Sequence, residues 1–311
     1  MKKRIIVSVS SDLSTDQRVL KICTSLYNNG YDVLLWGRLL RNSQTIDLPY
    51  KTKRFRLFFN SGFLFYAELN IRLFFSLLLS KADLFYANDT DTLAANFLAA
   101  KCKNLKFIFD AHELFPEVPE LVGRPLVKTV WTKLEDWILP RSMYNLTVCA
   151  SIAKKKKKKY GTHFDVVRNV PVLKHTEPAI RKFGDKKVLI YQGAVNIGRG
   201  LELVIDAMQY LPETILWIIG DGDIKISLEN RVKDKKLEDR IIFEGKVAAE
   251  QLRQLTMSAD IGLCLLENKG LSYYYSLPNR IFDYMHAGIP VLTTPFPEIS
   301  LIVDTYKTGV C

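Results

Sequence analysis

Short apolar runs alternate with longer amphipathic segments along most of this chain. In the first half, apolar runs typical of strands buried on both faces lie at 4–10, 31–36, 83–87, 105–109 and 145–149. Between them, apolar residues recur at helical spacing in segments at 15–29, 62–80, 90–100 and 124–138. This alternation predicts a parallel sheet with helices on both faces.

A polar, proline-bearing connector at 171–186 interrupts the pattern, which then restarts. Further strands are predicted at 187–192, 214–219, 240–243, 260–265 and 289–292, and helices at 199–210, 223–236, 248–258 and 278–287. The sequence therefore predicts an α/β protein of two doubly wound domains, 1–170 and 187–311. Because the final KTGV looks like the start of another strand, we expect the second domain to be incomplete at its C-terminal end.

Positive charge is concentrated in the first half of the chain. The net charge is +11, and residues 1–170 contain 27 Lys and Arg against 15 Asp and Glu. Contributors include Lys51, Lys53, Arg54 and Arg56, which precede an aromatic segment, and the run Lys154 to Lys159. We find no nucleic-acid-binding module, so this charge favours an anionic membrane surface. The alternative is a lysine face that serves only solubility.

Cysteine use and the N-terminal sequence suggest an intracellular protein. The five cysteines show no CxxC or metal-ligand spacing, so we expect free thiols in a reducing compartment. MKKR leads directly into a strand-like run with no signal-peptide pattern, so we expect the protein to act in the cytoplasm. We expect its basic half to lie at the inner membrane face. The apolar stretch 63–79 contains Glu68, Asn70 and Arg72, and we expect it to be too interrupted to cross a membrane.

Five motifs give the chain a family resemblance. They are SSDLSTDQRVLK at 10–21, YANDTDTL at 86–93, DAHELFPEVPEL at 110–121, YQGAVNIGRGLELVIDAM at 191–208 and YSLPNRIFDYMHAGIPVL at 275–292. In order and spacing they resemble retaining nucleotide-sugar glycosyltransferases of group 1, or family 4, type. The resemblance implies the GT-B fold, in which two Rossmann-like domains face a cleft. It also implies that the first domain binds the acceptor and the second the nucleotide sugar.

Glycines and one arginine mark a candidate phosphate site in the second half. Gly193 follows a predicted strand, and Gly198-Arg199-Gly200 opens a helix, whose first turn favours anions. The alternative is an ordinary strand-to-helix turn. The resemblance implies that Arg199 neutralises the leaving diphosphate and that Gly222 lies next to the base. A second basic residue expected from the resemblance is replaced by Ala194.

The segment 275–292 places Asp283 on a short helix that leads into a buried strand. The resemblance implies that Asp283 accepts hydrogen bonds from the ribose hydroxyls of the donor. The partner acid expected eight residues earlier is Tyr275, and Glu267 is the nearest upstream substitute. Two further residues of the segment, Ser276 and Asn279, could contact sugar or phosphate, or could cap the helix.

A histidine flanked by acids, His112 between Asp110 and Glu113, follows a predicted strand of the first half. An imidazole poised near neutrality could orient an acceptor hydroxyl, and adjacent carboxylates could fix its tautomer. The resemblance implies that His112 lies near the donor sugar. Two other strand ends carry Asp12 and Asp89, and both could line the acceptor side. Equally, Ser14 and Asp89 could cap helices.

The resemblance and these patterns together predict a retaining glycosyltransferase that moves a sugar from a nucleotide sugar to a polysaccharide or lipid-linked acceptor. The resemblance implies a reaction without a metal or another cofactor, and the dispersed acids and the absence of His or Cys ligand spacing agree with this. Two alternatives stay open. One is a nucleotide-sugar 2-epimerase of the same fold, and the other is an inactive, truncated sugar-nucleotide-binding protein.

Overall fold

The chain forms two compact units in a computed structural model, Met1–Arg168 and Asn169–Cys311. The residues described are 2–14, 16–173, 177 and 181–311. The division falls close to the predicted end of the first domain at residue 170. The predicted linker 171–186 lies partly outside the described residues, as does Thr15, the predicted first residue of a helix.

The first unit is built on a seven-stranded parallel sheet of order β3-β2-β1-β4-β5-β6-β7. Its strands are β1 (Arg4–Asp12), β2 (Asp32–Arg38), β3 (Lys51–Phe55), β4 (Leu84–Asn88), β5 (Lys106–Ala111), β6 (Tyr144–Thr147) and β7 (Asp165–Val166). Its helices are α1 (Gln17–Asn28), α2 (Gly62–Leu79), α3 (Asp89–Lys103), α4 (Pro125–Ile138) and α5 (Ala150–Tyr160). Short 3₁₀ turns lie at Phe115–Glu117, Pro119–Leu121 and Leu139–Arg141.

The second unit has a six-stranded parallel sheet of order β10-β9-β8-β11-β12-β13. Its strands are β8 (Lys187–Gln192), β9 (Thr214–Ile219), β10 (Ile241–Gly245), β11 (Ile261–Cys264), β12 (Val291–Thr293) and β13 (Gly309–Val310). Its helices are α6 (Leu201–Ala207), α7 (Lys225–Asp234), α8 (Ala249–Met257), α9 (Leu271–Tyr274), α10 (Asn279–Ala287) and α11 (Pro297–Tyr306), with a 3₁₀ turn at Met208–Tyr210. Strand β13 confirms that KTGV leads into a strand.

Successive side chains along the strands of each sheet belong to two separate apolar clusters. In β1, Ile5 and Val7 belong to one cluster of the first unit and Ile6 to the other. Successive side chains of a strand point to opposite faces, so helices cover both faces of the sheet. The second unit has the same arrangement, with Ile190 and Tyr191 in different clusters. The predicted pair of doubly wound sheets is confirmed.

The structure adds several elements that the apolar pattern does not indicate, among them β3 and α5. Strand β3 is a charged edge strand, and charged side chains are typical of sheet edges. Helix α5 contains the whole lysine run, for which no helix was predicted. Ile152, Lys156 and Tyr160 repeat every four residues and form its buried face.

Helix α2 has the length and composition of a membrane-crossing helix, and among the described residues it alone does so. The expectation that 63–79 is too interrupted to cross a membrane is therefore wrong on those two criteria. In the structure Leu69, Leu73 and Leu77 are buried, and the Asn70 amide donates to the Asp91 carbonyl oxygen at 2.7 Å. One side of α2 is thus packed within the first unit, as in a core helix.

Candidate functional site

In the first unit, strand order reverses between β1 and β4, and a polar cluster lies at the carboxyl ends of the strands there. Open α/β sheets bind ligands at this position because the crossover loops diverge from it. Asn88 and Asp110 are paired in register at the ends of β4 and β5. His112 follows β5 directly, so the predicted histidine is brought to the reversal point.

His112 lies between two carboxylates. Its Nδ1 is 2.9 Å from Asp89 and its Nε2 is 3.4 Å from Asp110, and 19% of its side chain is exposed. Asp89 also accepts a hydrogen bond from the His112 backbone nitrogen at 2.8 Å. The backbone of Asp89 is left-handed, with φ of 56°, which Asp tolerates better than most residues. This turn aims the Asp89 carboxylate at His112.

The two carboxylates determine the charge of His112. Burial disfavours the charged imidazole, but Asp89 and Asp110 outweigh burial and raise the pKa of His112 to about 10. His112 is therefore an imidazolium at neutral pH. The prediction of an imidazole poised near neutrality is wrong, because the carboxylates stabilise its proton as well as fix its orientation. An imidazolium can donate a hydrogen bond and stabilise negative charge, but it is not a general base at neutral pH.

Asp110 is held by Arg18, which lies in the motif at 10–21 and for which no role was predicted. Arg18 Nη2 and Nε lie 2.7 and 3.1 Å from the two carboxylate oxygens of Asp110. The Tyr86 hydroxyl donates to the same carboxylate at 3.0 Å. Burial raises the pKa of Asp110, but the bonds from His112 and Arg18 lower it to about 2. Asp110 therefore positions His112 and stays ionised itself.

Asp91 is a further carboxyl group of the cluster that sequence reasoning missed. It is buried at the start of α3 and accepts a hydrogen bond from the Ser10 hydroxyl. Burial and the charge of Asp89 raise the pKa of Asp91 to about 7. The charge of Glu113 adds to this rise, which places Glu113 near the cluster. A predicted role for Glu113 toward a substrate stays a prediction.

Asp12 is engaged inside the first unit. Its carboxylate lies 2.5 Å from Arg54 of β3, and it accepts a hydrogen bond from the Ser43 hydroxyl at 2.5 Å. Burial raises the pKa of Asp12, but these bonds and those from Ser14 lower it overall. The cap of α1 is Asp16, not Ser14, and α3 has no side-chain cap from Asn88 before it. Acceptor roles for Asp12 and Asp89 stay predictions.

In the second unit, strand order reverses between β8 and β11, and glycines let the loops at this point pack closely. A Cβ added to Gly220 would lie 1.9 Å from the carbonyl oxygen of Gly193, and the Gly193 nitrogen donates to Ile219 at 2.9 Å. A Cβ on Gly222 would lie 2.3 Å from the Asn196 side chain. The close approach expected of Gly222 is thus to the loop at 195–196.

The Gly198-Arg199-Gly200 turn lies next to the predicted acid Glu267. The Glu267 nitrogen donates to the Gly198 carbonyl oxygen at 3.0 Å, and the Glu267 carboxylate pairs with Lys269 at 3.0 Å. The Arg199 guanidinium lies 4.7 Å from the centre of the Tyr273 ring, and its buried Nε has no hydrogen-bond partner among the described residues. Helix α6 begins directly after this turn, so the predicted strand–turn–helix is present.

Asp283 lies on α10, whose position is fixed by Tyr284. The Tyr284 ring occupies the space beside Gly262, where a Cβ would come within 2.4 Å of it, and its hydroxyl contacts the Leu263 carbonyl oxygen at 3.2 Å. At the end of β8, the Gln192 amide donates to Asp283 at 3.0 Å and accepts from Thr256 at 2.7 Å. Asp283 is therefore held at the reversal point with a defined orientation.

The start of α10 contains the remaining predicted residues. Its N-cap is Pro278, with no side-chain cap bond, so the capping alternative is wrong for both Ser276 and Asn279. The Ser276 hydroxyl instead donates to the Tyr273 carbonyl oxygen at 2.8 Å. Contacts of either residue with sugar or phosphate stay predictions.

Among the described residues, no group of three or more His, Cys, Asp or Glu could hold a metal ion. All five cysteines are free. The expectation of a reaction without a metal or other cofactor stays a prediction.

Comparisons with known proteins agree with this geometry. The family model described as glycosyl transferases group 1 matches residues 174–311. The sulfoquinovosyl transferase SQD2 of Arabidopsis thaliana is 23% identical over 243 residues, covering 74% of this chain and 46% of that protein. The mannosylfructose-phosphate synthase of Agrobacterium fabrum is 30% identical over 145 residues, covering 42% of this chain and 31% of that protein. The chain thus spans less than half the length of these two relatives.

Solved structures share the fold over nearly the whole chain. A sucrose-phosphate synthase from Thermosynechococcus elongatus has a TM-score of 0.77 at 16% identity, covering 99% of this chain and 85% of that structure. Anabaena HepE in complex with UDP-glucose has a TM-score of 0.70 at 17% identity, covering 98% and 91%. The fold class is therefore that of GT-B glycosyltransferases. The match to the glycosyl transferases group 1 model lies in the second part of the chain, at 174–311, and agrees with the predicted resemblance.

Proposed function

We propose that this chain transfers a sugar from a nucleotide-sugar donor to a glycan or lipid-linked acceptor, in the cytoplasm and with retained anomeric configuration. One observation carries the proposal. In the part matched by the family model, Asp283 and the glycine–arginine turn meet at the reversal of strand order. A carboxylate there can accept hydrogen bonds from ribose hydroxyls, and Arg199 can pair with a diphosphate.

The proposed reaction breaks the bond between the anomeric carbon and the diphosphate oxygen, and the electron pair leaves with the diphosphate. Arg199 neutralises the charge that develops on this leaving group. The acceptor hydroxyl oxygen forms the new bond to the anomeric carbon on the same face, and its proton passes to the departing diphosphate. Because His112 is an imidazolium whose two ring nitrogens face Asp89 and Asp110, the part we propose for it is to supply positive charge, and not to remove the proton.

Product analysis tests this proposal. The purified chain is incubated with UDP-, GDP- and ADP-sugars, with and without a glycolipid extract as acceptor. Release of nucleoside diphosphate that depends on the extract, with retained configuration in the product by NMR, is the expected result. Conversion of the donor alone to its C2 epimer would instead indicate the epimerase. Donor binding without any turnover would indicate an inactive sugar-nucleotide-binding protein.

We further propose that the first unit binds an anionic membrane surface, where a lipid-linked acceptor would be met. Its support is a patch that we call the aromatic edge, Phe58, Phe59, Phe63 and Leu64, which is exposed beside the exposed Lys51 and Arg56. Two of the cations that we assigned to this surface do not contribute. Arg54 pairs with Asp12, and Lys156 is buried.

Vesicle co-sedimentation tests the membrane proposal. The chain should pellet with phosphatidylglycerol vesicles at low salt and stay in solution with phosphatidylcholine vesicles, since each exposed cation contributes about 1 kcal/mol near an anionic surface. Replacing Phe58 and Phe63 by Ser should weaken binding, and Leu126→Ser, on the exposed side of α4, is the control for loss of an exposed apolar residue. Equal binding to both kinds of vesicle would rule out the electrostatic account.

A further inference from the structure

Arg280 is a buried cation in the second unit that the sequence motifs did not single out. Only 8% of the residue is exposed, and its guanidinium lies 4.4 Å from the centre of the Tyr191 ring. Among the described residues no Asp or Glu forms an ion pair with it, and its buried Nη1 has no hydrogen-bond partner. A buried cation without a counter-ion is unfavourable unless an anion joins it.

The guanidinium lies beside the loop that follows β8. A Cβ added to Gly193 would be 3.2 Å from Arg280 Nη2, so the group lies against the glycine that follows β8. Burial raises the pKa of the Cys264 thiol at the end of β11, and the positive charges of Arg280 and Arg199 both oppose that rise. Both guanidinium groups are therefore near the end of β11, which pairs with β8 at the reversal of strand order.

We infer that Arg280 contacts the diphosphate of the bound nucleotide sugar, together with Arg199. The inference rests on the proposed function and adds a second cation to its site. Position 194, where the resemblance led us to expect that cation, is alanine. Helix α10 thus supplies from a different element the charge that the loop after β8 lacks. The same helix presents Asp283, so one helix would hold both the ribose and the diphosphate.

Calorimetry on the full chain tests the inference. UDP, GDP and ADP are titrated first to find the base that binds, and the nucleoside of that base is then titrated separately. Arg280→Met keeps an unbranched side chain over Tyr191 and removes the charge. We expect about 10- to 100-fold weaker binding of the nucleoside diphosphate and unchanged binding of the nucleoside. Lys233→Met, which removes an exposed charge from α7, should change neither affinity.

Four results would overturn the inference. One is parental affinity for the diphosphate in a folded Arg280→Met variant. Another is an equal loss of affinity for nucleoside and diphosphate, which would mean that Arg280 acts by shaping the fold. If Arg280→Met does not fold, the Arg280→Lys variant decides. Lysine keeps the charge without the planar fork, so this variant should bind the nucleoside diphosphate about 3- to 10-fold more weakly. Parental affinity in the Arg280→Lys variant would overturn the inference. A parent chain that binds none of the three diphosphates would overturn the proposed function as well.

Discussion

The lysine run contains one residue on which the first unit depends, and replacing it by methionine is a sharp test of the fold. Lys156 has a side chain that is 1% exposed, and it pairs at 3.0 Å with Glu135, which is 2% exposed. Glu135 also accepts hydrogen bonds from Tyr160 at 2.7 Å and Thr90 at 2.6 Å. Lys156→Met keeps the length of the side chain and leaves Glu135 as a buried, uncompensated carboxylate.

Breaking a buried ion pair from one side costs about 3–5 kcal/mol. For a unit of this size about 1 kcal/mol shifts the melting temperature by roughly 2–4 °C, so the first unit should melt about 6–20 °C lower. Differential scanning calorimetry measures this shift. Lys158→Met removes the same charge from an exposed position of the same helix and should change the stability by less than about 0.5 kcal/mol.

A double variant separates the ion pair from simple packing. Glu135→Gln added to Lys156→Met removes the buried charge and keeps acceptors for Thr90 and Tyr160, so much of the lost stability should return. Equal melting temperatures for the Lys156 and Lys158 variants would refute the reasoning. A double variant no more stable than Lys156→Met would show that packing, and not the uncompensated charge, accounts for the loss.

The charge state of the two sites gives three more predictions. The folded pKa of His112, about 10, lies above its ordinary value. The stabilisation of the fold by His112 is therefore complete below about pH 6.5 and is lost as pH rises toward 10. Urea unfolding should show the free energy of unfolding falling over this range, and falling less in His112→Asn. His112→Gln should lower turnover by about 100-fold or more with nucleoside diphosphate affinity nearly unchanged, and parental turnover would remove it from the reaction. Asp283→Asn should weaken binding of nucleoside and nucleoside diphosphate together by about 30- to 1000-fold in calorimetry, whereas the Arg280 variant affects only the latter.

The order of apolar runs was sufficient to predict both sheets, because each buried strand stands out against the amphipathic helices beside it. Strand β3 escaped this reasoning because its four polar residues and one aromatic residue resemble a loop. The apolar pattern also could not distinguish the buried lysine of α5 from the exposed ones. Only the four-residue spacing of Ile152, Lys156 and Tyr160 indicates a buried face, and five other lysines surround it.

The candidate sites were predicted as positions along the chain, and their partners were not. Motifs placed His112 and Asp283 correctly at the carboxyl ends of their sheets. The bond between Arg18 and Asp110 joins residues 92 apart in sequence, and no local pattern reports such a pairing. The charge of His112 depends on Asp89, which reaches it only through a left-handed turn. Sequence spacing therefore indicated which residues lie at the candidate sites, but their protonation states follow only from the three-dimensional contacts.

The lysine run also differs in its tolerance of substitutions and of deletions. Substituting an exposed lysine of α5 should be harmless, yet deleting any single one should not be. Each residue of a helix advances by about 100° around the axis. Loss of one lysine would leave a lysine at position 156 but turn the tyrosine now at 160 away from Glu135. The run is therefore tolerant in composition and strict in length.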